Sequence, residues 1–246
     1  MKRILLLLFA FMGFRASGQD ATEIIRKAEA KMHGESSQSE MEMKVVRPSW
    51  ERTITFKTWS KGTTFSMVLI LSPARDKGQS FLKSRNDMWS WNPTINRMIK
   101  MPPSMMSQGW MGSDYSNDDM MKESSLVTEF THKILRKEQV NDMECWVIEL
   151  IPTDESSVVW GKLVMWISTK DYFEMKSEFY DEDMELVKTH LAADICFMHD
   201  RNIPTRFEII PAGKPTQKTI VQIKNIRFNL SLNESFFTQQ NMKTLK

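Results

Sequence analysis

The chain has 246 residues, 33 Lys and Arg against 31 Asp and Glu, a formal charge of +2 and 41% hydrophobic residues. With charges this balanced and interspersed, no basic stripe is offered to a phosphate backbone, which removes nucleic acid as a partner. The length suits one large β domain or two small ones with a sizeable core.

Lys2 and Arg3 precede an apolar run from Ile4 to Phe14, and Ala16-Ser17-Gly18 gives a small-x-small cleavage pattern. The pattern predicts a signal peptide over residues 1–18, too short for the roughly 20 residues that span a bilayer. A chain from 19 to 246 is then expected in the periplasm as a single domain. It starts at Gln19 and not at Cys, so it carries no N-terminal lipid anchor, and it keeps 30 basic against 31 acidic residues. Cys145 and Cys196 both fall in predicted strands, where an oxidising compartment permits pairing, although two buried free thiols are the expected state.

Asp20 to His33 reads as a helix, with Ile24, Ile25, Ala28 and Met32 on one face and Gly34 as its stop. The period then changes to two. Met41, Met43 and Val45 alternate with polar residues, as do Ile54 and Phe56, and then Phe65, Met67, Leu69 and Leu71. Strands resume at 79–83, 86–91 and 96–100, and after an interruption at 131–137, 144–151, 160–168, 173–180, 185–193, 204–210 and 218–228. This amounts to about 12 to 13 short strands, a mainly β chain forming one large antiparallel sheet or open barrel. A short helix is expected around Ser116 to Ser124. Another is expected after the cap Asn233-Glu234-Ser235, carrying Phe236 and Phe237.

The interruption is the distinctive part. Residues 98–121 hold seven of the 20 methionines, broken by Pro102, Pro103, Gly109 and Gly112. Methionine repacks around varied apolar partners, so the segment is either an adaptable surface or lid for a greasy ligand or a loop whose methionines fill gaps beneath it. A sheet of this many strands, once curled, can hold a ligand. The candidate cavity and lid residues are Phe65, Met67, Leu69, Trp89, Trp91, Met101, Met105, Met106, Trp110, Met111, Met120 and Met121. Trp89 and Trp91 lie two apart and share a strand face.

Gly112-Ser113-Asp114 invites a catalytic reading, but it lacks a G-x-S-x-G elbow, and His33, His132, His190 and His199 are dispersed. It is expected to be structural, Gly112 supplying an unusual backbone angle while Ser113 and Asp114 bond local amides. Asp114-x-Ser116-x-Asp118-Asp119 imitates the start of a calcium loop without its glycine or closing glutamate. No metal, cofactor or enzymatic activity is expected.

Phe81-Leu82 through Asp87-Met88-Trp89, Pro93-x3-Arg97, and above all Met111-Gly112-Ser113-Asp114-Tyr115-Ser116 followed by Asp118-Asp119 resemble the LolA/LolB-like superfamily, in its larger branch of outer-membrane lipoprotein-sorting proteins. The resemblance implies an unclosed, strongly curved β-sheet with covering helices, and an apolar cavity that receives lipid or lipoprotein acyl chains. It also implies exchange with an inner-membrane transporter or outer-membrane acceptor. The alternative is a periplasmic accessory subunit that docks on a membrane transporter or envelope complex through its apolar segment.

Overall fold

The computed structural model describes residues 20–85, 87–121, 126–156 and 158–245, the side chains of Pro103 and Met121 excepted. The expected signal peptide and the expected helix end at Ser124 lie outside these residues. Helix α1 (Ala21–His33) opens where the Asp20 carboxylate accepts from the Thr22 amide at 3.0 Å. It closes at Gly34, whose φ of 63° is open to glycine at no steric cost.

The described residues form thirteen strands: β1 (Ser36–Arg47), β2 (Trp50–Lys61), β3 (Phe65–Ser72), β4 (Ser80–Ser84), β5 (Asp87–Asn92), β6 (Arg97–Lys100), β7 (Phe130–Val140), β8 (Met143–Pro152), β9 (Lys162–Ser168), β10 (Glu174–Tyr180), β11 (Leu186–Met198), β12 (Arg201–Pro211) and β13 (Lys218–Phe228). They make one antiparallel sheet in the order β6-β5-β4-β3-β2-β1-β13-β12-β11-β10-β9-β8-β7, not closed into a barrel. Its two edges, β6 and β7, are neighbours in sequence. Residues 101–129 must therefore cross from one edge to the other, and this strap carries α2 (Asn117–Met121) and α3 (Leu126–Glu129).

The strap shows which face is concave. Trp110 packs on Phe81 of β4, while Asp119 pairs with Lys188 of β11. Laid flat, those strands would be six steps or roughly 29 Å apart. Nine residues coiled into turn and helix bridge them because the sheet curls around the strap. On this inner face stand Met43, Val45, Ile54, Phe56, Val68, Ile70, Phe81 and Val221, which form one apolar cluster with Trp110. Towards β7 the same face carries Ile148, Leu150, Leu163, Met165 and Ile167, against which α1 lays Ile24, Ile25 and Ala28.

The outer face of β2–β5 is covered by the C-terminal segment. The single helix expected there is instead a 3-10 turn (Glu234–Phe236) behind Asn233 and a separate helix, α4 (Gln239–Thr244). The break comes at Thr238, whose extended backbone and side chain cap the Asn241 amide. Cys145 is buried, and burial pushes its thiol up to about 11; Cys196, expected to be buried, is exposed, and both are free.

Candidate functional site

The Gly-Ser-Asp segment pins the strap to the middle of the sheet. Gly112 takes φ 75°, as expected of a glycine there, and Ser113 is bonded locally: its hydroxyl donates to the Trp110 carbonyl at 2.7 Å and accepts from the Tyr115 amide at 3.2 Å. Asp114 does not bond local amides. Its two oxygens accept from Nη1 and Nη2 of Arg47 at 3.0 Å each, and one also accepts from the Thr219 hydroxyl at 2.7 Å. A bidentate carboxylate is thus held by β1 and β13 together. Ser116 and Asp119 cap α2 reciprocally, the Ser116 amide donating to Asp119 at 2.7 Å and the Asp119 amide to the Ser116 hydroxyl at 3.0 Å.

Under this anchor Trp110 is fully buried, its ring 5.4 Å from Phe56 and 5.5 Å from Phe81, both edge-on. Met101, Met106, Met111 and Met120 pack around the same cluster, and Met105 is half-buried nearby. These methionines fill the space beneath the strap. The Met121 side chain lies outside the described residues.

Phe65, Met67, Leu69, Trp89 and Trp91 are brought together, but on the outer face. They pack beneath Phe237 and Met242, with Phe65 stacked on Phe237 at 5.4 Å and the Ser80 hydroxyl donating to the Met242 carbonyl at 2.6 Å. Trp89 and Trp91 do share a face, as their spacing predicts. Assigning that face to the cavity slips by one residue, because their alternates Val68, Ile70, Phe81 and Met88 point inward.

The open space lies elsewhere, in a cavity of about 540 Å³ between α1, the end of the strap and the inner face of β9–β12. Its walls include Ile25, Ala28, Met32, Leu126, Phe130, Trp160, Leu163, Met165, Phe179 and Phe207. None of the sequence candidates whose side chains are among the described residues lines it. The wall residues are visible in sequence as the apolar face of α1 and the alternation of Leu163 with Met165. What sequence lacks is the strand order that puts α1 over β7–β9.

A few polar groups interrupt this apolar lining. The Glu174 carboxyl accepts from the Ser177 hydroxyl at 2.7 Å, and burial pushes it above the usual carboxylate range. His190 lies between Phe179 at 4.4 Å and Tyr115 at 5.6 Å, and its buried Nε2 has no hydrogen-bond partner among the described residues. Burial, reinforced by Lys188, lowers it to about 3, so the ring is neutral at neutral pH. Burial also pushes the Tyr115 hydroxyl up. Asp119 feels an upward push from burial, which the charge and hydrogen bond of Lys188, with the Ser116 amide, more than reverse. Asp114 and Asp119, read as the start of an imitation calcium loop, are thus committed to Arg47 and Lys188. Apolar walls with a small number of placed polar groups are the ordinary make-up of a ligand pocket.

The family described as "-like: Uncharacterized protein" matches residues 62–244. The chain belongs to that family. Its fold is LolA-like, as the Gly-Ser-Asp segment predicts. A DUF1329 family protein from Desulfovibrio piger superposes with a TM-score of 0.82 at 20% identity, covering 91% of this chain and 100% of that one. A protein described as an outer membrane lipoprotein-sorting protein domain, from Vibrio parahaemolyticus, gives 0.79 at 23% identity over 91% and 98%. A LolA superfamily protein from Nitrosomonas europaea gives 0.78 at 24% identity over 91% and 99%. At these identities the LolA-like neighbours establish the fold. No curated protein matches the chain.

Proposed function

We propose that this protein is a non-enzymatic periplasmic carrier that takes an acyl chain of a lipid or lipoprotein into the cavity under α1 and delivers it towards the outer membrane. The observation that carries the reading is the cavity itself, about 540 Å³ bounded by Ile25, Phe130, Leu163, Met165 and Phe179 in a LolA-like sheet. Each acyl CH2 withdrawn from water is worth about 0.8 kcal/mol, which makes such walls an effective refuge across an aqueous compartment. The neutral His190 ring, and a Glu174 carboxyl whose protonated form burial favours, offer hydrogen bonds to a polar head.

The sorting role in the Vibrio neighbour's description supports cargo of this kind. Solvent extraction and native mass spectrometry of the purified protein, with displacement of a fluorescent fatty acid, test the proposal. Near one acyl lipid per chain is expected. Met165→Trp, which projects a larger ring into the cavity, is expected to weaken uptake while the protein stays folded. Undiminished uptake by that variant, or an interior empty of lipid and closed to the fatty acid, overturns the carrier reading and leaves the docking subunit.

A further inference from the structure

A second site lies at the other end of the inner face and shares no lining residue with the cavity. Arg52 stands near the start of β2, opposite Val45 of β1, with its guanidinium beside the Gly112 turn of the strap: a Cβ placed on Gly112 would sit 3.5 Å from Nη2. Its Nε and Nη2 are buried and have no hydrogen-bond partner among the described residues. The pocket it lines is completed by Trp50, Glu51, Thr53, Pro73 and Arg75.

The other charges around that pocket are engaged. Glu51 pairs with Lys44 at 2.6 Å, Arg75 with Asp76 at 3.1 Å, and Arg47 of the adjacent turn with Asp114 at 3.0 Å. Among the described residues Arg52 makes no ion pair, and the carboxylate acting on its charge, Asp76, is already paired with Arg75. An arginine guanidinium binds an oxyanion through directed, charge-assisted N–H bonds, and a partly water-excluded setting strengthens them. Arg75 at the rim adds a second positive charge, the Thr53 side chain a hydroxyl, and Trp50, 47% exposed, an aromatic border. Burial and Arg75 act against the charge on Arg52 more than Asp76 supports it, which is the condition an incoming anion relieves.

We infer that Arg52 and Arg75 form a binding site for a phosphate group, separate from the acyl cavity and independent of the carrier reading. The phosphate could reach it as a free ion or ester, or as the headgroup of an anionic phospholipid, with Trp50 resting at the bilayer border. Two measurements separate these sources. One follows the melting temperature with inorganic phosphate against chloride at equal ionic strength. The other measures co-sedimentation with phosphatidylglycerol vesicles against phosphatidylcholine vesicles.

Arg52→Met is expected to weaken whichever binding the wild type shows by roughly tenfold or more. In chloride it should melt no lower than wild type, because the fork has no partner to lose. Arg75→Gln, nearer the surface, should give a smaller loss without a folding change. Phosphate-dependent stabilisation lost in Arg52→Met supports a site for free phosphate. Phosphatidylglycerol binding lost in Arg52→Met with no response to inorganic phosphate supports the headgroup. Wild type that responds to neither, or binding unchanged in both variants, overturns the site.

Discussion

The two halves of the inner face are built on one sheet yet end in opposite states. Over β1–β5 the strap seats Trp110 between Phe56 and Phe81 and fills the remaining gaps with methionines. Over β9–β12 the strap has already turned off towards β7, α1 leans on the far edge, and a cavity remains between them. Methionine content alone therefore does not mark a ligand site. The methionines sit where the protein fills itself, and the open half is walled by Leu163, Met165, Phe179 and Phe130.

The sharpest way to break this comparison is to truncate one residue in each half. Trp110→Ala should cost about 3–5 kcal/mol, since the ring is fully enclosed and a void would remain. Trp110→Phe should cost far less, because it also removes an indole N–H that is buried without a partner among the described residues. Met165→Ala should lose only about 2 kcal/mol, the low end for a buried methionine, as its side chain already borders empty space and little new cavity is created. Denaturant melts of the three decide it. Equal costs for Trp110→Ala and Met165→Ala would mean that the cavity is closed in solution.

Next in size is the anchor that separates the halves. The Arg47 and Asp114 side chains are only 14% and 10% exposed, so removing either leaves a largely buried charge unmatched. Arg47→Met should destabilise by about 3 kcal/mol, and Arg47→Met with Asp114→Leu should recover part of it. Amide exchange in the wild type should show residues 113–119 well protected whether or not lipid is present. That outcome would move any gating motion away from the middle of the strap, which its methionines nominate as a lid, and towards α1.

Much of the fold is legible in the sequence because its signals are local. Period-two runs, Gly34 after an amphipathic face and the capping residue Asp20 all act within a few residues, and the Gly-Ser-Asp segment supplies the family resemblance. Position across the sheet is not local. Met67 and Val68 are equally apolar neighbours; one is covered by the C-terminal segment and the other faces the strap, a distinction set by elements some 40 to 170 residues away. The spacing of Phe65, Met67, Leu69, Trp89 and Trp91 therefore predicts their mutual packing but not the face, which is the outer one, away from the cavity. Trp91→Glu is accordingly expected to unfold the outer-face cluster rather than to block a ligand.

The smallest effect concerns the polar lining of the open half, where two groups titrate with opposite sign. The folded value of His190, about 3, lies below its ordinary value near 6.5. The unfolded chain therefore takes up the proton first, and stability, intact above pH 6.5, is lost as pH falls towards 3. Glu174 is raised by burial, with Ser177 and His33 offsetting only part of the rise. Here the folded state holds its proton longer, so stability is greatest below the ordinary glutamate value and declines as pH rises through the folded one. Between about pH 4.5 and 6.5 the two contributions oppose each other and flatten the profile. Glu174→Gln removes one of them and keeps an acceptor for the Ser177 hydroxyl. The variant should be more stable than wild type at pH 7 to 8 and should lose stability more steeply on acidification below 6.5, since His190 then titrates unopposed. A melting-temperature series across pH reads both. Parallel profiles for the two proteins would show that Glu174 is solvated like a surface carboxylate, and that water fills the cavity that the apolar walls are proposed to keep for a lipid.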